Sequence, residues 1–126
     1  MKLNQDCIRD LLIYLEENLS YQNFVTINNI SLKDYSTSEL VYTADKLIEA
    51  GYLNCLKSRS IDEESPTIIA KSITYTGHQF LDNIRDDKVF AKTKSVLSGL
   101  KSVSIEIISE TASKVITNII NQQLGS

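Results

Sequence analysis

One histidine occurs in the chain, His78, and it sits in the most chemically suggestive stretch: Gly77-His78, then Asp82, Arg85, Asp86 and Asp87. On a helix His78 and Asp82 share a face, four residues apart, so the carboxylate could orient the imidazole as a general base. Hydrolysis by that pair would also need a nucleophile and an oxyanion site, and no G-x-S-x-G elbow or equivalent is present. A metal would want more ligands than one imidazole and its neighbouring carboxylates supply. The two cysteines, Cys7 and Cys55, are far apart and lack CxxC spacing, so they make neither a disulfide framework nor a zinc site. Both are read as small apolar side chains. The expectation is a non-enzymatic protein with no catalytic residue, no metal and no cofactor. In that reading Thr76 caps a helix, Gly77 permits a close approach to the sheet, and His78 or Arg85 ties the helix to the strands. Asp86 and Asp87 pair with Arg85 or Lys88 or cap the next turn.

The elements that would position these groups follow from length and patterning. The chain has 126 residues, 42% hydrophobic and 23% charged, an ordinary globular mixture. A chain of this size buries roughly two thirds of its unfolded surface and needs no staples. Thirteen Lys and Arg against sixteen Asp and Glu leave a net charge of -3. That balance argues against a generally basic nucleic-acid coat while leaving room for a local basic face. Met1-Lys2-Leu3 runs directly into Asn4, Gln5 and Asp6, which is no signal peptide. The longest early apolar run, Leu11 to Leu15, falls far short of the roughly 20 residues that span a bilayer. A soluble, cytoplasmic protein with no membrane association is expected.

Along the chain, Ile8, Leu11, Leu12, Leu15 and Leu19 recur at helical spacing, giving a first helix over 4–19 capped by Asn4, with Arg9 on its outer side. Phe24, Val25, Thr26 and Ile27 form a short strand-prone run, and 29–35 a connection with at most one helical turn around Leu32 to Tyr35. Ser36 and Glu39 have capping-box spacing and open a second helix with Leu40, Ala44, Leu47 and Ile48 inward. Gly51 stops it. Two strands, 52–58 and 67–75, flank a polar loop and form a hairpin; Ile69, Lys71 and Ile73 share one face of the second strand. Thr76 and Gln79 repeat the capping-box spacing and start a third helix near Gly77. Asp86-Asp87 lead into Val89, Phe90, Val96 and Leu97, with Gly99 as a stop. From 104 to 124, Ile105, Ile108, Ala112, Val115 and Ile119 advance in steps of three and four, a heptad-like seam.

Helix, short strand, glycine-stopped helix and hairpin follow the order of a winged helix-turn-helix whose middle helix has little room. The fold class expected is α+β: a reduced winged helix in a domain over 1–87, followed by a C-terminal helical extension over 88–126. At the hairpin's exit, Thr74-Tyr75-Thr76-Gly77-His78-Gln79-Phe80-Leu81-Asp82-Asn83-Ile84-Arg85 resembles the signature of a family of bacterial and prophage proteins of unknown function. Leu47-Ile48-Glu49-Ala50-Gly51-Tyr52-Leu53 matches the family's helix end. The family often carries Trp where Phe90 stands, and a basic or His-containing second helix where this chain has Thr43 and Asp45. The resemblance implies a winged-helix-like fold and bacterial or phage origin, and no activity.

In a winged helix the helix before the wing enters the major groove. Here it would expose Thr37, Ser38, Tyr42, Asp45, Lys46 and Glu49, and between Ser36 and Ala50 three acids face one base, which opposes phosphate binding. Lys57, Arg59 and Lys71 in the hairpin favour it, offset by Asp62, Glu63 and Glu64. Lys88, Lys92, Lys94 and Lys101 form a basic run, most simply a solvated face. Two functions compete. The first is protein binding through Thr37, Ser38, Tyr42, Asp45, Lys46, Lys57 and Arg59, for instance to a host or phage-defence factor. The second is a dimeric transcription regulator that contacts DNA through Thr37, Ser38, Tyr42, Lys57 and Arg59. The acidic balance favours protein binding. The tail seam Ile105, Ile108, Ala112, Val115 and Ile119 either packs on the first helix within a monomer or pairs in a twofold homodimer, the second being slightly favoured.

Overall fold

A computed structural model describes residues 1–125. The elements run α1 (Gln5–Asn18), β1 (Val25–Thr26), a 3-10 turn (Ile27–Asn29), α2 (Thr37–Glu49), β2 (Leu53–Ser58), β3 (Thr67–Ile73), α3 (Tyr75–Ile84), α4 (Asp87–Leu97) and α5 (Ile105–Leu124). This is an α+β arrangement of five helices on a small antiparallel sheet with strand order β1-β3-β2.

Local chemistry accounts for most boundaries. The Asn4 carboxamide accepts from the amides of Asp6 and Cys7, satisfying two of the orphan donors of α1. Ser36 Oγ accepts from Glu39 N and opens α2. The Glu39 carboxylate does not complete a capping box; it accepts from the Asn4 side chain, tying the starts of α1 and α2 together. Gly51, at φ 81°, ends α2 in a Schellman arrangement in which Tyr52 N donates to Leu47 O and Gly51 N to Ile48 O.

The third helix starts earlier than its sequence spacing suggests. Thr74, not Thr76, is its cap, with Oγ1 accepting from Gly77 N at 3.0 Å. The segment before α2 holds no helical turn at Leu32 to Tyr35. Leu32 to Tyr35 instead form a tight turn in which Tyr35 N donates to Leu32 O and Asp34 adopts a positive φ of 77°; the helical turn lies upstream, at Ile27–Asn29.

In β3 the expected alternation breaks. Cys55 pairs with Ala70 and Asn54 with Ser72, so Lys71 is an extra residue opposite them. This bulge shifts the pleat by one, and Ile73 joins Ile68 and Ala70 in the core instead of sharing a face with Ile69.

The core is one continuous cluster. Cys7, Ile8, Leu11, Leu12 and Leu15 of α1 meet Leu40, Val41, Ala44 and Leu47 of α2, Ile68 and Ala70 of the sheet, and Phe80, Leu81 and Ile84 of α3. The same cluster continues through Val89, Phe90 and Leu97 of α4 to Ile105, Ile108 and Ala112 of α5, so its packing runs straight across residue 87. Arg9 is central to that junction and not an outward residue. Its Nε donates to Ile84 O at 2.8 Å, its Nη2 bonds Asp87 at 2.6 Å, and its guanidinium lies 5.0 Å from the Phe90 ring centre. A cation there caps the carbonyl end of α3 and joins α1, α3 and α4.

Candidate binding face and the Gly77-His78 box

The outer side of α2 and the hairpin meet where Lys57 reaches Asp45, while Tyr42 lines a pocket shared with Met1–Leu3 and Lys101–Ser104. Thr37 and Ser38 stand exposed in the first turn of α2, and Tyr42 is half-buried one turn on. The cations among the candidates are engaged with neighbours. Lys57 Nζ on β2 bonds the Asp45 carboxylate of α2 at 2.6 Å. Lys46 bonds Glu49 at 2.8 Å, which raises the lysine's pKa, and it lies 5.5 Å from the Tyr42 ring centre. Arg59 Nε donates to Glu63 O within the hairpin loop. Thr37, Ser38, Tyr42, Asp45, Lys46, Lys57 and Arg59 therefore lie on α2 and the hairpin as expected, with the two lysines held in ion pairs. Lys71 sits over the Phe24 ring, at 5.9 Å. Of the basic run, Lys94 bonds Asp6 and packs on Phe90, while Lys88, Lys92 and Lys101 are exposed. Apolar groups fill out the hairpin side: Leu56 is 54% exposed and Ile61, in the loop, is fully exposed at 102%.

The box around His78 is built differently from a catalytic dyad. Asp82 bonds Arg85 at 3.1 Å, and the carboxylate near His78 belongs to Glu16 of α1, 3.9 Å from Nδ1. Arg85 grips both Glu16 oxygens, at 2.5 and 2.7 Å, and this bidentate pairing lowers the Glu16 pKa and raises that of the guanidinium. Arg85 thus ties α3 to α1, not to the strands. Asp86 caps α4, accepting from Lys88 N and Val89 N, and Asp87 pairs with Arg9.

The threonines and glycine of the box face the end of α2. Thr74 Oγ1 and Thr76 Oγ1 both donate to Gly51 O, at 2.6 and 3.1 Å, and Thr74 N donates to Tyr52 O at 3.0 Å. A Cβ on Gly77 would lie 2.2 Å from that same Tyr52 oxygen and 2.8 Å from Ile73 Cγ2. Tyr52 also stacks on Phe80, with ring centres 4.9 Å apart. The two sequence signatures, Leu47 to Leu53 and Thr74 to Arg85, therefore meet in space as a clasp between α2 and α3. Beside the clasp lies an open groove of about 590 Å³ lined by Tyr52, Thr76, Gln79, Phe80, Asp82, Asn83 and Ser109.

Sequence reasoning missed the polar ties between distant segments. Asn28 accepts from Ile68 N and donates to Pro66 O, fixing the hairpin's return to β1. Tyr35 OH donates to Asp10 at 2.7 Å, and burial together with that carboxylate pushes the phenol's pKa up. Asparagine in a polar turn was the available signal for the first; nothing local announces the second.

The seam of the tail divides. Ile105, Ile108 and Ala112 are buried within the chain against the core, Val115 is half-buried, and Ile119 is 41% exposed. The first three are consumed by intramolecular packing and are not available as a dimer seam. Among the described residues no group of three or more His, Cys, Asp or Glu side chains converges as a metal would require, and no helix is long and apolar enough to cross a membrane.

These features define a small α+β protein that combines, among the described residues, five helices with a three-stranded antiparallel sheet. The chain belongs to the family described as Hypothetical protein (DUF2513), which matches residues 2–104. It is similar to an uncharacterised protein of Haemophilus influenzae, 32% identical over 126 residues that cover 99% of this chain and 100% of that protein. No solved structure matches it.

Proposed function

We propose that the chain is a winged-helix-like, non-enzymatic binding protein of bacterial or prophage type, and that its α2–hairpin face docks a protein partner. The order helix, short strand, 3-10 turn, helix, hairpin, with β1 pairing to β3, supports a reduced winged helix in which Ile27–Asn29 replaces the middle helix.

One observation carries the choice of partner: the face's lysines are already neutralised, Lys57 by Asp45 and Lys46 by Glu49. Affinity for a nucleic-acid backbone comes largely from cations that displace counterions, and with Asp45 and Glu49 beside them these lysines give the face little net positive charge. Leu56 and Ile61 instead present exposed apolar side chains on the hairpin, Leu56 on the side of β2 opposite Cys55 and Lys57, and exposed apolar groups of this kind suit a protein partner.

A photo-crosslinking side chain at Leu56 or Ile61, in cells of the native host, tests this. The expected result is one discrete protein adduct from both positions and none from Lys92, on a different surface. Identical adducts from all three positions, or none from any, would overturn the reading. The second function, a DNA-binding regulator, draws on the open hydroxyls of Thr37 and Ser38 at the start of α2.

A further inference from the structure

His78 stands beside a cleft of about 330 Å³ between α1, β3 and α3. Buried Leu15 and Ile73 and half-buried Leu19 supply its apolar wall. The bulge in β3 sets its polar side. With the alternation broken, Ile73 turns into the core while Lys71 also lines the cleft. The carboxylate that lines it, Glu16, is gripped by both Arg85 Nη atoms and so brings little net negative charge. Lys71 pairs with no carboxylate among the described residues; its ammonium lies 5.9 Å from the Phe24 ring centre.

We propose that this cleft binds a small organic carboxylate with an apolar body, Lys71 taking the carboxylate and Leu15, Leu19 and Ile73 the body. Charge selects the head group. An apolar wall alone would suit any hydrocarbon, but an ammonium without a counter-ion gains from an acid what a neutral analogue cannot give. The His78 imidazole, 3.9 Å from Glu16, is a second polar neighbour for that head group. The wall selects the body. A bare anion such as phosphate meets the ammonium and leaves Leu15, Leu19 and Ile73 facing water, forgoing the larger hydrophobic gain. The volume lies at the small end of ligand clefts, which begin at roughly 300 Å³, so the occupant is a small molecule and not a folded partner. This site is separate from the α2–hairpin face and does not rest on its assignment.

Methyl NMR of the full chain, titrated separately with octanoate, octanamide, acetate and inorganic phosphate, decides the matter. Octanoate shifts the methyl signals of Leu15, Leu19 and Ile73 saturably, with a dissociation constant of about 1 mM or below. Octanamide, the same body without the charge, binds about fivefold more weakly. Acetate and phosphate leave these methyls unmoved. In Lys71→Met the acid and the amide bind alike, whereas Lys92→Met, at an exposed position on α4, keeps the preference. Octanoate that moves none of these methyls well above that constant would overturn the proposal. So would octanamide binding the wild type as tightly as octanoate, a comparison that stands whether or not Lys71→Met folds normally. A preference that survives in folded Lys71→Met contradicts the role of the ammonium. Acetate or phosphate binding as tightly as octanoate would leave an adventitious ion only, with no selection for the apolar body, and would also overturn it.

Discussion

The α-carbon of Gly77 lies so close to the carbonyl of Tyr52 that a Cβ there would sit 2.2 Å from the oxygen. The oxygen cannot move aside freely, because it accepts from Thr74 N and belongs to the residue just after the Gly51 stop. Glycine at position 77 is thus a packing requirement of the α2–α3 clasp. Its role needs no ligand.

Gly77→Ala is expected to destabilise the fold by about 3 kcal/mol, the upper end of the usual cost of forcing atoms into a packed site. Gly99→Ala meets nothing within 4 Å and should change stability by less than about 0.5 kcal/mol. Chemical denaturation midpoints of the two variants check the contrast.

Thr74 and Thr76 separate by role. Thr74→Ala removes both the α3 cap and a hydrogen bond to Gly51 O, and should cost about 1–2 kcal/mol. Thr76→Ala loses a longer, exposed bond to the same carbonyl and its hydroxyl contact with Thr74, leaves the cap in place, and should cost less than half of that. Equal losses in thermal unfolding would contradict the assignment of the cap.

Those two residues also show what a sequence can and cannot reveal. Asn4, Ser36 and Gly51 act on backbone within a few positions, so their types and spacing announced them. Thr76 with Gln79 has the textual pattern of a capping box, yet Thr74 caps, because bonding to Gly51 places the helix start two residues earlier. The Lys71 bulge, the Arg9 bond to Ile84 O and the Asn28 bonds to β3 depend on which segments meet, and no local pattern encodes that. The hairpin and its α2 neighbour were legible as a candidate face; the pairing of Lys57 with Asp45 was not, since it joins two elements. The tail's period gave the apolar face of α5 but not the point where the chain's own core stops covering it.

Acid should loosen the α1–α3 contact. Arg85 holds the Glu16 pKa below its ordinary 4.5, so the unfolded chain takes up the proton first as pH falls. The stabilisation is present above about pH 4.5 and is lost as pH drops through the lower folded value. Glu16→Gln should flatten the dependence of the unfolding midpoint in that window while leaving its behaviour above pH 6 parallel to wild type.

Cys55 should be a sluggish nucleophile. Burial pushes its thiol up to about 11 from 9.0, a difference that leaves roughly a hundredth of the thiolate of an unperturbed cysteine at pH 8. Alkylation by iodoacetamide in native buffer should lag that of the unfolded chain by about that factor.

The measurement that bears most directly on the α2–hairpin face is anisotropy of a labelled random duplex titrated with full-length protein at salt from 20 to 200 mM, values chosen to span roughly one decade of screening. With Lys57 and Lys46 held by Asp45 and Glu49, no saturable binding is expected even at the lowest salt. Tight binding there that weakens steeply as salt rises, and that a Lys46→Ala, Lys57→Ala double variant loses, would show these lysines reaching phosphates and would assign the face to DNA instead of protein.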